Sequence, residues 1–268
     1  MLSRDLKSVA LTISDWKWWD GKQSPVLFID EANELKHIPG EEGKEAVRTL
    51  LKWCVVNTKQ RERLHVVLAS SDGFFLEWLN DMNIGRHASV YTVGDLSEES
   101  AAHFYDDVIN ERLPENLRLK APGFDEVYRV LGGRMFHIKK FVRDFAISEG
   151  NETLDSFSPL QGAIARIDSA LRVNQFQIGE FEKPKWTAEY LKALMKRFAS
   201  HPYVTYREAC LMMEGRGEEM VKSLILHNVL LYRHNKKYAF DFPDAPEGPI
   251  VCPQSPMERY AMEQVMKL

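Results

Sequence analysis

The sequence predicts an α/β fold in which a small parallel sheet is followed by an all-α region and a C-terminal winged helix. Short apolar runs alternate with amphipathic stretches up to about residue 95, and from Ser97 to residue 172 the spacing is helical throughout. Three helical stretches and a β-rich stretch then occupy residues 186–245. A chain of 268 residues, 44% of them hydrophobic, is long enough for one large or two modest domains.

The first predicted strand is the apolar run Val26 to Ile29, which follows Pro25. Four uniformly apolar residues are too few for an amphipathic helix, so we expect a strand buried on both faces of a parallel sheet. A second run of this kind, Leu64 to Ser70, follows a helical stripe through Val47, Leu51 and Cys54. The resulting order is strand, helix, strand.

This alternation continues for one more helix and one more strand. Asp72 can cap a short helix whose apolar face contains Phe75, Leu79 and Met82, and the residues from Ser89 to Val93 favour a strand. An opening helix is also predicted at the N-terminus, where apolar residues recur at helical spacing from Leu6 to Trp16.

The C-terminal third predicts three helices and a hairpin. A helical face through Tyr190 and Phe198 comes first, Thr205 and Glu208 form a capping box for a second helix, and a third runs from Met220 to Ile225. Residues 229–233 and 238–242 then predict the two strands of a hairpin around Asn235-Lys236-Lys237. The predicted organisation is a core at 1–95, a helical lid at 96–172, a linker at 173–185, a winged helix at 186–245 and a tail at 246–268.

Composition limits the class of protein. A formal net charge of -4 and a pI near 6.1 give no global basis for binding nucleic acid or an acidic membrane surface. The three cysteines are far apart, and no apolar run approaches the roughly 20 residues that cross a bilayer. We expect an intracellular, cytoplasmic protein with reduced thiols and without a membrane partner.

Asp30 and Glu31, at the end of the first strand, are the strongest candidate site residues. An aspartate at a strand tip can hold the Mg²⁺ of a nucleotide, and the adjacent acid can polarise the attacking water, as in a Walker B motif. The alternative is that the two acids only cap the helix that follows.

Polar residues after the second strand and in the helical region add to this site. Ser70 and Ser71 occupy the place of a residue that senses the γ-phosphate, and a helix N-cap is the alternative. Arg134, after Gly132-Gly133, could bind a phosphate as a bidentate donor, or be a surface arginine after a helix-ending glycine. Arg86 is a candidate finger toward a neighbouring subunit.

The order of these motifs resembles a known family. The runs PVLFIDEANEL (25–35), HVVLASSD (65–72), YTVGDLS (91–97) and VLGGR (130–134) are similar to the archaeal-type ATPase branch of the STAND and AAA+ P-loop NTPases. The resemblance implies an incomplete P-loop NTPase parallel sheet, a helical lid and a winged helix, with ATP and Mg²⁺ bound between core and lid. It also implies a nucleotide-dependent conformational switch, with possible self-association through the core.

One motif of that family is absent from the sequence. Relatives have a Gly-x-x-x-x-Gly-Lys-Ser/Thr loop before the Walker B strand, whereas 24 residues precede Pro25 here and contain no such loop. The run from Gly40 to Glu45 has the wrong spacing and follows the acidic pair. We therefore expect a truncated or inactive ATPase that binds ATP poorly on its own, so whether the chain is an enzyme stays open.

Two further functions stay open as alternatives. The first is a non-catalytic scaffold that binds protein partners. The second is a winged-helix protein that binds DNA through the basic residues Arg233, His234, Lys236 and Lys237. Glu218 and Glu219 on the helix expected to face DNA argue against this second function, since carboxylates repel phosphate.

Overall fold

A computed structural model describes residues 23–173, 183–213 and 215–267. The chain divides into two compact units between Val90 and Tyr91, and each unit is described by itself. The predicted opening helix from Leu6 to Trp16 lies outside the described residues, as does most of the predicted linker at 173–185.

The first unit is built on a βαβ arrangement. Its elements, in chain order, are β1 (Val26–Ile29), a 3-10 helix (Ala32–His37), α1 (Gly40–Val55) with a π-helical extension (Val56–Gln60), β2 (His65–Leu68), α2 (Phe75–Asp81) and a second 3-10 helix (Gly85–His87). The two strands pair in parallel, with Ile29 opposite Leu68. A parallel pair needs a crossover connection, and α1 supplies it.

The core of this unit lies on one face of the two strands. Ile29 and Leu68 pack against a buried cluster of helical side chains that includes Leu51 and Phe75. The opposite face is exposed: Val26 is 60% and Phe28 59% accessible. The prediction of a strand buried on both faces is therefore wrong, because the described helices of this unit pack on one face of the pair.

The predicted strand from Ser89 to Val93 is also wrong. These residues are irregular in the structure, and Val93 is 88% exposed. Thr92 N donates a backbone hydrogen bond to Lys237 O at 3.0 Å, but these residues form no ladder despite their β-favouring composition.

The second unit begins with helices. They are α3 (Glu98–Arg112), α4 (Glu115–Arg118), α5 (Phe124–Leu131), α6 (Met135–Ile147) and α7 (Ser158–Leu171). Ser97 caps α3 by accepting a hydrogen bond from Ser100 N at 3.3 Å. Apolar residues at helical spacing, among them Ile138, Phe141, Leu160 and Ile167, are fully buried and form the core of this region.

The C-terminal part adds α8 (Ala188–Ser200), β3 (Val204–Thr205), α9 (Tyr206–Leu211), α10 (Gly217–Leu226), β4 (Leu230–Arg233), β5 (Ile250–Pro253) and α11 (Pro256–Lys267). The three strands form an antiparallel sheet in the order β3-β5-β4. One half of the predicted capping box forms, since Thr205 Oγ1 accepts a hydrogen bond from Glu208 N at 3.1 Å. The Glu208 carboxylate instead pairs with Arg197.

The predicted hairpin is wrong in its second strand. Residues 238–242 form turns, and β4 pairs instead with β5, with Leu231 opposite Cys252. The alternating aromatic pattern of Tyr238, Phe240 and Phe242 predicts a strand, whereas in the structure the first two side chains are more than half exposed and no ladder forms. Residues 246–268 are consequently more than a tail, because they supply the central strand β5 and the helix α11.

The described chain is thus a mostly helical α/β protein with a small parallel sheet. Within the described residues, no helix is both long and apolar enough to span a bilayer.

Candidate functional site

The acidic pair lies directly after β1, as the sequence predicts. Both side chains are exposed, and Asp30 Oδ1 accepts a hydrogen bond from Glu31 N at 3.0 Å. Glu31 has a left-handed backbone (φ 48°, ψ 42°) and its side chain makes no capping hydrogen bond to the 3-10 helix that follows. Neither carboxylate forms an ion pair within the described residues. The capping alternative therefore has no hydrogen bond to support it.

The two parallel strands bring the acidic pair and the serine pair to the same edge of the sheet. Beyond the ladder, Ala69 N donates to Ile29 O at 2.9 Å and Ala32 N donates to Ala69 O at 2.8 Å. These two bonds hold the segment after β1 against the segment after β2. The carboxyl ends of parallel strands are the usual place for a ligand in an open α/β sheet.

Ser70 and Ser71 differ in how they are used at this edge. The Ser70 hydroxyl donates to Asn33 Oδ1 at 3.1 Å and accepts from Asp72 N at 3.0 Å. Ser71 is exposed, and the structure gives its hydroxyl no partner among the described residues. Ser71 is consequently the more accessible donor for a ligand, while Ser70 links two loops.

Sequence reasoning missed Asn33 and Lys36, which support this edge together with Asp72. Lys36 forms an ion pair with Asp72, and both side chains are largely shielded from solvent (17% and 26% exposed). Asp72 Oδ1 also accepts from Phe74 N at 2.8 Å, just before α2 begins. Asn33 and Lys36 are three residues apart in a 3-10 helix, a spacing that places side chains on one face, and this spacing was the available signal.

The Gly40 to Glu45 run opens α1. Gly40 has a positive φ of 77°, Lys44 donates to Glu41 at 2.8 Å, and Glu41 and Glu42 are both exposed in the first turn. Carboxylates at this helix end oppose the binding of phosphate. The structure agrees with the rejection of this run as a phosphate loop.

Arg86 lies in the short 3-10 helix Gly85–His87 of the first unit. Its side chain is exposed, and its Nε donates to His87 Nε2 at 3.3 Å. Its role as a finger toward another subunit stays a prediction.

Arg134 belongs to the second unit, where its guanidinium is bound by protein oxygens. Nε donates to Asp95 Oδ1 and Nη2 to the Gln254 carbonyl, both at 2.9 Å. Gly132 ends α5 with a positive φ of 61°, as the helix-ending alternative predicts. Arg134 is half-buried rather than a free surface side chain, and its binding to a phosphate stays a prediction.

We call the sheet edge that carries Asp30 and Glu31 the acidic edge. Its carboxylate oxygens are of the kind that bind the Mg²⁺ of a nucleotide. Mg²⁺ prefers carboxylate oxygens and is bound by one or two of them, with water and phosphate completing its shell. Two exposed carboxylates without ion pairs fit that requirement. No cluster of three or more His, Cys, Asp or Glu residues suited to hold a metal by itself occurs in the described part of the chain.

Comparison with known proteins identifies the family. Residues 8–141, half of the chain, match the model of an ATPase domain found predominantly in Archaea. The chain belongs to this ATPase family. The matched region of the ATPase domain includes both strands of the parallel sheet, the acidic pair, the serine pair and Arg134.

Similar proteins agree with this assignment. The chain is 30% identical over 119 residues to an ATP-binding protein of Methanocaldococcus jannaschii, a match that covers 44% of this chain and 31% of that protein. It is 22% identical over 227 residues to the mitochondrial escape protein 2 homolog of Dictyostelium discoideum, covering 78% of this chain and 24% of that protein. The chain therefore spans about a third or less of the length of these relatives.

A solved structure supports the fold. The Walker-type ATPase of Pyrococcus abyssi superposes with a TM-score of 0.52 at 14% identity, covering 90% of this chain and 63% of that one. At this identity the similarity concerns the fold alone.

Proposed function

We propose that this ATPase-family chain contributes the acidic edge of a Mg-ATP site that operates as a nucleotide-dependent switch. The observation that carries the proposal is the parallel pairing of β1 and β2, because it places Asp30, Glu31 and Ser71 at one edge. Relatives that bind ATP support the choice of ligand.

Each residue has a proposed role in this site. Asp30 binds Mg²⁺, Glu31 polarises the attacking water, and Ser71 senses the γ-phosphate while Ser70 holds its loop in place. Arg134, as a bidentate donor, exchanges its bonds to Asp95 and Gln254 for a phosphate.

The 268 residues contain no Gly-x-x-x-x-Gly-Lys-Ser/Thr sequence. Because such a loop supplies most of the contacts to the phosphates, we propose that this chain by itself binds Mg-ATP weakly and mainly through the metal.

Calorimetric titration of the chain with ATP and Mn²⁺, a substitute for Mg²⁺, tests the proposal. We expect weak saturable binding that disappears when the metal is chelated and that weakens about tenfold in Asp30→Ala, the equivalent of about 1.4 kcal/mol. Glu42→Gln removes an exposed carboxylate elsewhere in the same unit and should bind like the unchanged protein. Absence of saturable binding, or equal binding by Asp30→Ala, would contradict the proposed role of this edge.

We further propose that residues 186–253 are a winged helix, since α8, α9 and α10 are followed by a three-stranded antiparallel sheet in the order β3-β5-β4. Its helix α10 begins with Glu218 and Glu219, which are exposed or half-exposed, and Glu218 pairs with Lys222 at 2.6 Å. A helix end of this charge is unsuited to the major groove, so we propose a packing or regulatory role rather than duplex recognition.

A further inference from the structure

Two segments of the second unit run side by side and form a surface of their own. Thr92 N donates to the Lys237 carbonyl at 3.0 Å, and Thr92 Oγ1 donates to Asn235 Oδ1 at 3.3 Å. A Cβ added to Gly94 would collide with Asp241 and approach Ala239 Cα to 3.1 Å. Residues 91–94 therefore follow residues 237–241 closely along their length.

Side chains alternate between the inside and the outside of this pair of segments. Ala239 is buried and Gly94 has no space for a side chain. The alternate positions point outward and are all apolar: Tyr91 is 54%, Val93 88%, Tyr238 57% and Phe240 69% exposed. We call these four residues the aromatic surface. The rings of Tyr91 and Tyr238 are 5.2 Å apart at an interplanar angle of 62°.

The backbone of the aromatic surface is not what stability alone would select. Tyr238 has a φ of 67°, a left-handed conformation that is unfavourable for a bulky residue. Exposing four apolar side chains together also gains nothing from burial. Strained backbone of this kind is typical of functional sites, where the strain positions a side chain for a partner.

Two acids beside the aromatic surface, Asp241 and Asp95, are each paired with an arginine, whereas a lysine there has no such partner. Asp241 accepts from both terminal nitrogens of the buried Arg233 at 2.8 Å, and Asp95 pairs with Arg134. Lys237 is exposed, with its Nζ 4.7 Å from the centre of the Tyr91 ring, and it has no carboxylate partner among the described residues.

We propose that the aromatic surface binds single-stranded nucleic acid, independently of the ATP site. Unpaired bases stack on Tyr91, Tyr238 and Phe240, and Lys237 neutralises a phosphate between them. Exposed rings beside a lysine that has no carboxylate partner among the described residues match the two parts of a nucleotide, whereas an apolar peptide would use the rings alone. Duplex DNA does not fit this surface, because its bases are already stacked on each other.

Fluorescence anisotropy of a labelled oligo(dT) of roughly 20 nucleotides, titrated with the full chain in the absence of ATP, tests the proposal. We expect saturable binding that is weakened about tenfold or more in Tyr91→Ala and in Phe240→Ala. Leu119→Ala is the matched control, since Leu119 is an 87% exposed apolar residue of the same unit, and this variant should bind normally.

A second pair of variants separates stacking from general apolar contact. Phe240→Trp should retain binding and Phe240→Leu should lose it, because leucine is apolar but has no ring. Lys237→Gln should lower the dependence of log affinity on log salt by about 0.7 between about 50 and 200 mM salt, and the exposed Lys196→Gln should not.

Several results would overturn the proposal. One is that the chain shows no saturable binding of the oligonucleotide, or that Phe240→Leu binds it as tightly as the unchanged protein does. Another is that duplex DNA or free ATP competes as effectively as unlabelled oligo(dT). A third is that Leu119→Ala loses as much binding as Phe240→Ala. Size-exclusion chromatography tests the competing explanation, in which the aromatic surface contacts another protein molecule. A change of oligomeric state in Phe240→Ala without any oligonucleotide binding would replace nucleic acid by a second copy of the chain.

Discussion

Single side chains in this protein are often held by partners that lie far away in sequence. Arg134 binds Asp95 and the Gln254 carbonyl, and Lys36 binds Asp72. Motif reasoning identified Arg134 from its two preceding glycines but could not supply these partners, because they come from loops that meet only in the folded chain. In the first unit, the Ser70 hydroxyl is hydrogen-bonded to Asn33 and Asp72 for the same reason, whereas the structure gives the Ser71 hydroxyl no partner among the described residues.

His137 gives a test at the residue scale. Burial, reinforced by the charges of Arg134 and Arg166, lowers the pKa of His137 to about 4, so the folded protein holds this imidazole neutral. The unfolded chain binds the proton near pH 6.5, and stability is therefore lost as the pH falls from about 6.5 toward 4. Between about pH 7 and pH 5 we expect a loss of about 2 kcal/mol from this group.

Urea unfolding at the two pH values measures the effect. His137→Leu should lose clearly less stability on acidification than the unchanged protein. The exposed His103→Leu should retain the full dependence. Identical pH dependence in His137→Leu and the unchanged protein would show that the histidine does not titrate as we describe.

At the scale of elements, the tight approach at the start of α6 depends on glycine. A Cβ on Gly133 would overlap the Leu96 carbonyl oxygen, and Leu96 N donates to Gly133 O at 3.0 Å. A clash with backbone cannot be relieved by rotating a side chain. Gly133→Ala is expected to destabilise the protein by about 2 kcal/mol or more, as seen in thermal or urea unfolding.

Gly162 provides the opposite case and serves as the control for Gly133. It lies within α7, and a Cβ there would meet no atom within 4 Å. Gly162→Ala should stabilise the protein by about 0.5–1 kcal/mol, because alanine loses less conformational freedom in a helix. Destabilisation of similar size in both variants would exclude the steric explanation for Gly133.

Whether a segment forms a helix or a strand could be predicted where the local sequence signals agreed. Which strands pair with each other could not be predicted. The parallel strands β1 and β2, the helix α3 and the helices from α5 to α10 follow from short apolar runs and from helical spacing, whereas the short helix α4 was not predicted. The strand predicted at residues 238–242 failed because alternation describes side-chain direction and not a hydrogen-bonded neighbour. The actual partner, β5, lies after a turn region that no local pattern connects to β4.

At the scale of the whole molecule, the two units differ in how much apolar surface they bury. The described core of the first unit centres on Ala32, Val47, Leu51, Phe75 and Leu79, and one face of its two strands is exposed. The second unit buries many more large side chains, among them Phe141, Phe157 and Phe198. The described part of the first unit therefore has the smaller apolar core, and we expect it to be the less stable of the two.

Hydrogen exchange measured by mass spectrometry should show this difference. We expect the amides of β1 and β2 to exchange faster than those of α6 and α8, because openings of the first unit require less free energy. Equal protection in these four elements would contradict the difference in stability. Addition of Mn²⁺ and ATP should slow exchange in the first unit if the proposed site is used.

The sequence by itself determined the α/β class, the position of the acidic pair at a strand end and the family, because these depend on local periodicity and short motifs. Tertiary structure alone decided that one face of the β1–β2 pair is exposed and that β5 is the central strand of the second sheet. It also decided that Arg134 is bound by Asp95 and that Tyr91, Val93, Tyr238 and Phe240 form one surface. Such features join residues distant in the chain, and their energy comes from contacts that exist only once both partners are in place.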